Sequence, residues 1–469
     1  GIQNLARLDV QGALQVQNGQ GYDLGVSRVE VRNGALFEVG TPAQPFTGRF
    51  ILSLTDKHLC HTYGHAQEHK SFIVEPGGTL DLHGDDGGGA KLNWSRLASG
   101  QGVVASATTL TLEAAPAWQI NDRLVMASTD FDMLQAEELR VTQVAAPGSQ
   151  LDFVNTATGV GATYDHHGII ERGVVDERAE VGLLSHNIVI QGDPATSTST
   201  TRRGGHLMIL SSASNPTLAR MEWVEFRSMG WHGALGRYPV HFHLAGDMTG
   251  SYLENASIRH AFNRGVTLHG TSNVRVAKTV VYDTWGHAYY LEDGTETGHV
   301  FEQNLGLVSR EPDPAWAGLA NLGDTWSVTG QPFFSEDEDE PATYWITNPD
   351  NTFTDNVAAG AEGHGFWYHF EIANPPGPGL PVVPLRFEGN VAHSNGIHGF
   401  FQEKARMVTV DASLVNPYDS ESVMDDFTAY KNRQAGIWHR AYGGMRWKGA
   451  KLADNGFGAY LASEGFQQD

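Results

Sequence analysis

The chain has 469 residues, 55 of them glycine, with 18% charged side chains and a net charge of -23 at pH 7. A surface of this sign repels polyanions at long range, which excludes a general nucleic-acid-binding role, and an anionic polysaccharide would need a local basic patch or a bridging cation. No run of 18 apolar residues predicts a membrane span, and the single cysteine, Cys60, excludes a framework of internal disulfides.

The first 60 or so residues carry short runs of alternating apolar and polar side chains, separated by glycine and asparagine. Examples are LDVQGALQV, SRVEVRNGALFEVG and GRFILSLTD. Such runs predict hairpins or β-coils joined by tight turns. No stretch has sustained apolar residues at helical spacing, so the chain is predicted to be all-β. A solenoid adds coils to one core, and we therefore expect fewer domains than the roughly three that the length suggests.

Two polar segments follow in this half of the chain. His61, His65 and His69 are spaced by four, which on a helix would place them on one face where they could bind a metal; a polar surface loop is the alternative. The segment TSTSTTRRG at 196–204 is rich in turn-forming residues and is predicted to be an exposed loop.

A five-residue phrase recurs in the second half of the chain and predicts a solenoid. It reads P-V-H-F-H at 239–243, G-V-T-L-H at 265–269, A-Y-Y-L-E at 288–292, G-F-W-Y-H at 365–369, G-F-F-Q-E at 399–403 and G-I-W-H-R at 436–440. The second position is apolar or aromatic in each copy, and the fifth is ionisable. Spacings of about 22 to 37 residues, apart from one long insertion, are typical of coils that each contribute one strand. The fifth positions would form an outward-facing ladder of His243, His269, Glu292, His369, Glu403 and Arg440.

The first two copies place histidines where they could bind a divalent metal. Side chains alternate along a strand, so His241 and His243 are predicted to share one face. Val240 and Leu244 would share the opposite, apolar face. With His269 one coil above His243, the three imidazoles suit Zn²⁺, Mn²⁺ or Ni²⁺; a row of surface histidines bonded to neighbours is the alternative. Calcium prefers oxygen ligands and would rather use the carboxylates of Asp247, Asp283, Glu292 and Asp293.

Carboxylates beside the ladder could carry out glycoside hydrolysis, which needs two carboxyl groups about 5 to 9.5 Å apart. Glu292 and Asp293 are adjacent and would point to opposite sides of a strand, unless the strand ends there, as the glycine that follows them suggests. Asp283 with His287, in VYDTWGH, offers a second acid or base. A β-elimination would instead need a base near a cation-neutralised sugar carboxylate, and His243 or His269 with Arg264 or Arg237 could supply that.

Aromatic side chains at the third position of the phrase would flank the ladder and could stack on sugar rings, or they could pack beneath projecting loops. Two such loops are predicted, at 310–341, which includes the acidic run SEDEDE, and at 375–384. Asparagines at 304, 356 and 390 predict a side-chain ladder that caps turns in successive coils. The candidate substrate-binding residues are Arg237, Tyr290, Trp367, His369, Glu403, Trp438 and Arg440.

Several segments resemble one known family. VEVRNGALFEVGTPAQPFTGRFILSLTD at 29–56 and FIVEPGGTLDLHGDDGGGAKLNWSRL at 72–97 are similar to the eight-glycine domain of the fibrocystin-like proteins and of the cell-surface and cell-migration-inducing hyaluronidases. The HFH and LEDG phrases continue the resemblance. It implies a right-handed parallel β-helix of the pectate-lyase-like kind, with the eight-glycine domain and connecting coils in 1–180 and the β-helix in 181–469.

The resemblance also implies a function. We expect a divalent-cation-dependent enzyme that cleaves a hyaluronan-like glycosaminoglycan within the chain, with hydrolysis favoured over elimination. A non-catalytic glycan- or protein-binding adhesion module is the alternative. A secreted or cell-surface location and a monomeric state are expected, and the start at Gly1 rather than Met indicates a processed or trimmed chain.

Overall fold

The computed structural model describes residues 3–56, 69–313, 340–369, 386–406, 422–442 and 445–463. These residues are almost all in strands and turns, and the strands coil into a parallel β-helix with three faces. The predicted fold class is therefore confirmed. In the described part of the chain no helix is long and apolar enough to span a membrane. Most of the predicted loop at 310–341, all of that at 375–384, and His61 and His65 lie outside the described residues.

Successive coils stack so that each strand pairs in parallel with the strand of the same face one coil away. Face one contains Arg49–Leu54, Ile188–Gly192, Val224–Arg227, Ser257–Ala261, Val280–Trp285, Leu305–Arg310, Val357–Ala359, Val391–His393, Thr428–Tyr430 and Lys451–Ala453. Face two contains Ser71–Val74, His206–Ile209, Val240–Asp247, Val266–Ser272, Tyr289–Leu291, Ala342–Ile346, His364–Tyr368, Phe400–Arg406, Ala435–Tyr442 and Phe457–Ser463. Face three contains Ala13–Val16, Leu36–Val39, Thr79–His83, Leu218–Glu222, Tyr252–Glu254, Arg275–Ala277, Val300–Glu302, Thr352–Thr354, Arg386–Glu388, Ser422–Asp425 and Met445–Lys448.

The first coils and the later ones share the same sheets. The long strands Gln3–Val10 and Gly21–Val31 pair with each other in parallel, and the second of them continues into faces one and two. Face one then runs directly from Arg49–Leu54 to Ile188–Gly192. The early runs are thus parallel coils and not hairpins. A division into domains at residue 180 stays a prediction, and strands from both sides of it pair with one another.

An antiparallel sheet is inserted between two coils, a feature that the sequence alone did not predict. Its strands are Trp94–Arg96, Thr109–Thr111, Arg123–Met126, Glu137–Ala145, Gln150–Asn155 and Glu180–Leu183, with a 3-10 turn at Met133–Gln135 and a short ribbon of Ile170–Glu171 and Val175–Asp176. Val125 and Met133 pack on the outer side of face one, against Leu305 and Val357. This packing buries an apolar patch that the β-helix would otherwise expose.

The strand register bears out the predicted alignment of the repeat. Second-position side chains point into the core and are at most 2% exposed: Val240, Val266, Tyr289, Phe366, Phe400 and Ile437. Val240 pairs with Val266, and Phe400 pairs with Ile437. One copy was missed, because Tyr344 pairs with both Tyr289 and Phe366. That coil places the buried, uncharged Thr347 in the row of fifth positions, so the ionisable ladder is interrupted between Glu292 and His369.

The predicted asparagine ladder is confirmed. Asn304 Nδ2 donates to Asn356 Oδ1 at 2.9 Å, and Asn356 Nδ2 donates to Asn390 Oδ1 at 3.0 Å. A second row, not predicted, joins Asn395 to Asn432 at 2.7 Å. These amides are fully buried, and each one pairs with backbone or side-chain groups of a neighbouring coil, as buried polar groups must.

Candidate functional site

Three histidines lie together on the outer side of face two. One ligating atom from each of His241, His243 and His269 lies within 4.8 Å of the others, and this is the one group of its kind in the described part of the chain. His243 pairs with His269 across adjacent coils, and their Nδ1 atoms are 3.0 Å apart. The predicted convergence of these imidazoles is therefore present in the fold.

The strand that carries the histidines departs from regular alternation just after them. Leu244 has a φ of 47° and is 57% exposed, so it does not share the buried face with Val240 as predicted. The register shifts between His243 and Gly246, which indicates a β-bulge. The bulge turns the strand outward at the edge of the histidine cluster.

The environment of His241 and His243 favours their neutral form. His241 is 1% exposed, and this burial holds its pKa well below the usual range. Burial also lowers the pKa of His243 to about 4. His241 Nδ1 lies 3.2 Å from the carbonyl oxygen of Gly236, while its buried Nε2 has no hydrogen-bond partner among the described residues. If Nδ1–H donates to that carbonyl, Nε2 presents a lone pair to the cluster, which is the form of imidazole that binds metals.

Two carboxylates close one side of the cluster. The face-two strand ends at Leu291, so Glu292 and Asp293 lie in the turn that follows, with Gly294 at a φ of 79°. Glu292 Oε2 lies 3.7 Å from His269 Nδ1, and Asp293 Oδ2 lies 2.9 Å from His269 Nε2. The strand end suggested by the glycine is confirmed, and the adjacent carboxylates reach the same imidazole.

The two carboxyl groups differ in environment. Glu292 Oε2 is buried without a hydrogen-bond partner in the described structure, and burial raises the pKa of this carboxyl, against the effect of Arg264. The Asp293 side chain is 39% exposed. Glu296, which sequence reasoning missed although it follows in the phrase LEDGTE, is fully buried and accepts the backbone N–H of Asp293 at 3.1 Å. It thereby fixes the turn that carries both candidate catalytic carboxyls.

Arg264 and Tyr290 lie beneath this turn. Arg264 Nη1 donates to the Tyr238 hydroxyl at 2.7 Å, and its guanidinium carbon lies 4.0 Å above the Tyr290 ring. Only 4% of Arg264 is exposed. Arg237 lies near the cluster, where its charge helps to lower the pKa of His243. The roles predicted for these arginines in elimination or substrate binding stay predictions.

Asp283 and His287 do not form the predicted pair. Asp283 lies on face one, where its Oδ1 accepts from Arg310 Nε at 2.5 Å and its Oδ2 lies 2.7 Å from His260 Nδ1. His287 is fully buried at the start of face two, and its Nδ1 accepts the backbone N–H of Ala342 at 2.9 Å. Burial and Arg264 hold the pKa of His287 well below its usual range. Because the chain turns from face one to face two between residues 283 and 287, the two side chains lie on different faces and contact different residues.

The oxygen ligands suggested for calcium are not assembled among the described residues. Asp247 is exposed, and its Oδ1 accepts from the Thr249 hydroxyl at 2.7 Å and from Asn273 Nδ2 at 2.9 Å. Asp283 is held by His260 and Arg310 on another face. The histidine cluster is therefore the better metal candidate.

A row of aromatic rings continues along face two from the histidine cluster. By register it comprises Tyr290, Trp345, Trp367, Phe401, Trp438 and Tyr460. Trp367 is only 8% exposed and not an open surface ring as predicted, because the rings of Trp345 and Phe401 pack 4.7 and 5.2 Å from it. Trp345 was missed because its coil was not aligned. Tyr460, at the far end, is 41% exposed.

The remaining predicted ladder residues lie beside this row. The His369 ring stacks on Trp345 at 4.6 Å. Arg440 Nη1 donates to Glu403 Oε1 at 2.9 Å, one coil apart, so these two charges largely offset each other. The predicted register is confirmed here, and the predicted contact of these residues with substrate stays a prediction.

His260 is a titratable group, with a side chain 36% exposed, that sequence reasoning missed. Its Nδ1 lies 2.7 Å from Asp283 Oδ2 and its Nε2 lies 2.9 Å from Glu138 Oε2 of the inserted sheet. Burial alone would lower the pKa of His260, but the two carboxylates raise it to about 9. Arg259 and Arg310 also bind these carboxylates, and the Tyr282 ring lies 5.5 Å away.

His260 should make protein stability depend on pH. Because its pKa is higher in the folded protein than in the unfolded chain, its contribution is complete below about pH 6.5 and is lost as the pH rises through 9. The melting temperature of the wild type should exceed that of His260→Gln most at pH 6, and the difference should shrink by pH 10. His398→Gln is the control, since burial lowers the pKa of His398 to about 3 and its effect should stay constant over this range. A constant difference for His260→Gln would show that this histidine is not charged in the fold.

Comparison with known proteins adds two family matches. The G8 domain matches residues 2–98, and the CEMIP beta-helix family matches residues 202–400. The G8 match therefore coincides with the first coils of the β-helix, and the second match contains the histidine cluster and both candidate carboxyls.

Individual relatives extend these matches. "Cell surface hyaluronidase CEMIP2" from Homo sapiens is 32% identical over 406 residues, which are 76% of this chain and 28% of that protein. "Fibrocystin-L" from Mus musculus is 28% identical over 482 residues, 92% of this chain and 10% of that protein. The chain thus spans less than a third of the length of either relative. Among solved structures, the gp54 tailspike of Acinetobacter baumannii bacteriophage AP22 aligns over 98% of this chain and 68% of its own, but at 10% identity and a TM-score of 0.23, which is too low to bear on function.

Proposed function

The chain belongs to the family of proteins that combine a G8 domain with a CEMIP β-helix, and from that premise we propose that it cleaves a polysaccharide within the chain. The proposed substrate class is a hyaluronan-like glycosaminoglycan, and the proposed place of action is outside the cell or at its surface. The single observation that carries the proposal is the joint position of His241, His243, His269 and the carboxyls of Glu292 and Asp293. Relatives with 31–32% identity that are named hyaluronidases support the choice of substrate.

Glycoside hydrolysis fits the two carboxyl groups better than elimination does. The buried Glu292 carboxyl, with its raised pKa, is suited to donate a proton to the glycosidic oxygen as the C–O bond breaks. The more exposed Asp293 is suited to accept a proton from the water that attacks the anomeric carbon. Elimination would require a base beside the uronate. Of the candidates for that role, Arg264 is 4% exposed and held by Tyr238, and His243 and His269 are the imidazoles that we propose to hold the metal.

A divalent ion fits the donor set of the histidine cluster. His241 offers a buried, unpartnered Nε2, and His269 is oriented through its Nε2 by Asp293, as metal-binding histidines usually are by a carboxylate. His241, His243 and His269 would hold Zn²⁺, Mn²⁺ or Ni²⁺. When bound, such an ion supplies a Lewis acid that can polarise an oxygen of the substrate.

The proposed cleavage is tested by measuring the chain length of hyaluronan before and after incubation with the protein. Purified protein should lower the viscosity of hyaluronan and shift its size distribution downward, with a smaller effect or none on neutral polysaccharides. Hydrolysis leaves saturated products, whereas elimination leaves an unsaturated uronate that absorbs in the ultraviolet. Chelation before the assay should slow the cleavage, and restoring Zn²⁺ or Mn²⁺ should recover it.

A non-catalytic adhesion module is the second candidate. It is favoured by the fibrocystin-L relatives, which match 92% of the chain. This function predicts saturable glycan or protein binding with no change in polymer length. Binding of hyaluronan without any loss of viscosity would contradict the enzyme and support the module.

A further inference from the structure

A cavity lies where face one turns into face two, and none of the residues of the histidine cluster lines it. Its volume is about 370 Å³, and its walls include Arg202, Arg310, Trp285 and Phe262. Seryl hydroxyls of Ser199 and Ser228 complete its rim. His260 and one carboxylate, that of Asp283, also line it. The lining thus combines aromatic rings and hydroxyls with two guanidinium groups and an imidazole against a single carboxylate, on a chain with a net charge of -23.

The aromatic floor and the cationic wall are in direct contact. The Arg202 guanidinium carbon lies 4.0 Å above the Trp285 ring centre, and that of Arg310 lies 5.9 Å from the same centre. The His232 ring meets Trp285 edge-on at 5.2 Å. Cations over an indole face are attracted by its electron density and hold the guanidinium planes in place.

The terminal N–H groups of Arg310 can donate to a ligand in the cavity. Its Nε donates to Asp283 Oδ1 at 2.5 Å, and its terminal nitrogens have no acceptor among the described residues. Its side chain is 29% exposed. Asp283 is also bound to His260, so it is satisfied without the terminal nitrogens of Arg310. A planar guanidinium anchored at Nε presents its terminal N–H groups to a carboxylate ligand.

Arg202 belongs to the segment 196–204, which the sequence predicted to be an exposed loop, and its side chain is held in place by hydrogen bonds. Its Nη1 donates to Asp313 Oδ2 at 3.1 Å and its Nε to the Ser199 carbonyl at 3.2 Å. Lys70, only 1% exposed, donates to Ser197 Oγ at 3.0 Å and to the Arg203 carbonyl at 2.8 Å. The buried lysine therefore fixes the loop that positions Arg202 over the indole.

We propose that this cavity binds an acidic sugar unit, with its carboxylate on Arg310 and Arg202 and its ring against the aromatic side chains of Trp285 and Phe262 that line the cavity. The proposal rests on the proposed function, because it assigns to the same polysaccharide a recognition site separate from the cleavage site. An acidic chain approaching an acidic protein requires a local cationic site, and this cavity supplies one. The sugar ring packs against the aromatic lining, while the seryl hydroxyls form hydrogen bonds with the hydroxyls of the sugar.

The test measures the preference for the carboxylate form of one oligosaccharide. Binding is measured by calorimetry in a Glu292→Gln background, so that no cleavage intervenes, with hyaluronan hexasaccharide and with its methyl ester. The background protein should bind the acid at least tenfold more tightly than the ester. Arg202→Met, which keeps the stem over Trp285 and loses the charge, and Arg310→Lys, which keeps the charge and loses the fork, should each remove most of this preference.

Controls separate this site from folding and from catalysis. Arg386→Met, on face three and paired with Glu388, should keep the full preference for the acid. Melting temperatures identify any variant that fails to fold. The two cavity variants test the site independently, because Arg202→Met removes a charge and Arg310→Lys removes the guanidinium fork. An undiminished preference in both folded cavity variants would overturn the proposal. If the preference is lost but wild-type protein never shortens hyaluronan, the cavity stands and the proposed hydrolase falls.

Discussion

Glu292→Gln is expected to lower the rate of polysaccharide cleavage by about 10²- to 10⁴-fold, the usual contribution of a positioned general acid. The amide occupies the same volume but carries no proton to give to the leaving oxygen. Burial already favours the neutral carboxyl, so replacing it by a neutral amide should not reduce the melting temperature. The initial rate of viscosity loss and the size distribution of the products measure the effect.

The control for this prediction is a glutamate on another face. Glu302 lies on face three and pairs with Arg275 at 2.8 Å, so Glu302→Gln should cleave at the wild-type rate. A folded Glu292→Gln protein that cleaves as fast as the wild type would remove Glu292 from the chemistry and direct attention to Asp293.

Loss of one histidine from the cluster should weaken metal binding strongly. His243→Ala and His269→Ala each remove one of three imidazoles that converge within 4.8 Å. Because loss of a group that merely orients a ligand weakens metal affinity by about 10- to 100-fold, loss of a ligand itself should weaken it further. The wild type is expected to hold about one equivalent of a transition metal, and each variant far less.

Elemental analysis after equilibration with Zn²⁺ or Mn²⁺ measures this directly, without reference to activity. Added metal should also raise the melting temperature of the wild type and not that of the variants. His398→Gln lies outside the cluster, with its Nδ1 accepting the N–H of Ala435, and should bind metal like the wild type. Equal metal content in the wild type and His269→Ala would contradict the site.

The candidate site could be predicted from the sequence where its parts follow the repeat. His243 and His269 are 26 residues apart, and the common phrase around them sets the register that brings their imidazoles to 3.0 Å. The turn at Glu292 was indicated by the glycine that follows. The coil that contains Tyr344 shows the limit of the same reasoning. Its phrase lacks an ionisable fifth residue, and it was therefore not aligned with the other copies.

The contacts around the Trp285 cavity join residues whose spacing does not follow the repeat. His260 and Glu138 are 122 residues apart, and Lys70 and Ser197 are 127 apart. These contacts arise because an antiparallel sheet is inserted between coils and because a loop folds back over a corner. A repeat pattern carries no information about such insertions. Asp283 was paired with the wrong residue for another reason, because the chain turns from face one to face two between Asp283 and His287.

By itself, the sequence determined that this protein is an all-β solenoid, that the second position of its repeated phrase faces the core, and that His241, His243 and His269 share one face. The physical reason is that each coil pairs with the next one, so that the periodicity of the chain becomes the register of the sheets. The sequence left open whether Glu292 and Asp293 point to the same side. Only the tertiary structure decided the outward bulge at Leu244, the burial of Trp367 and the cavity around Trp285. Those features depend on packing between distant segments, where local strand geometry gives no preference.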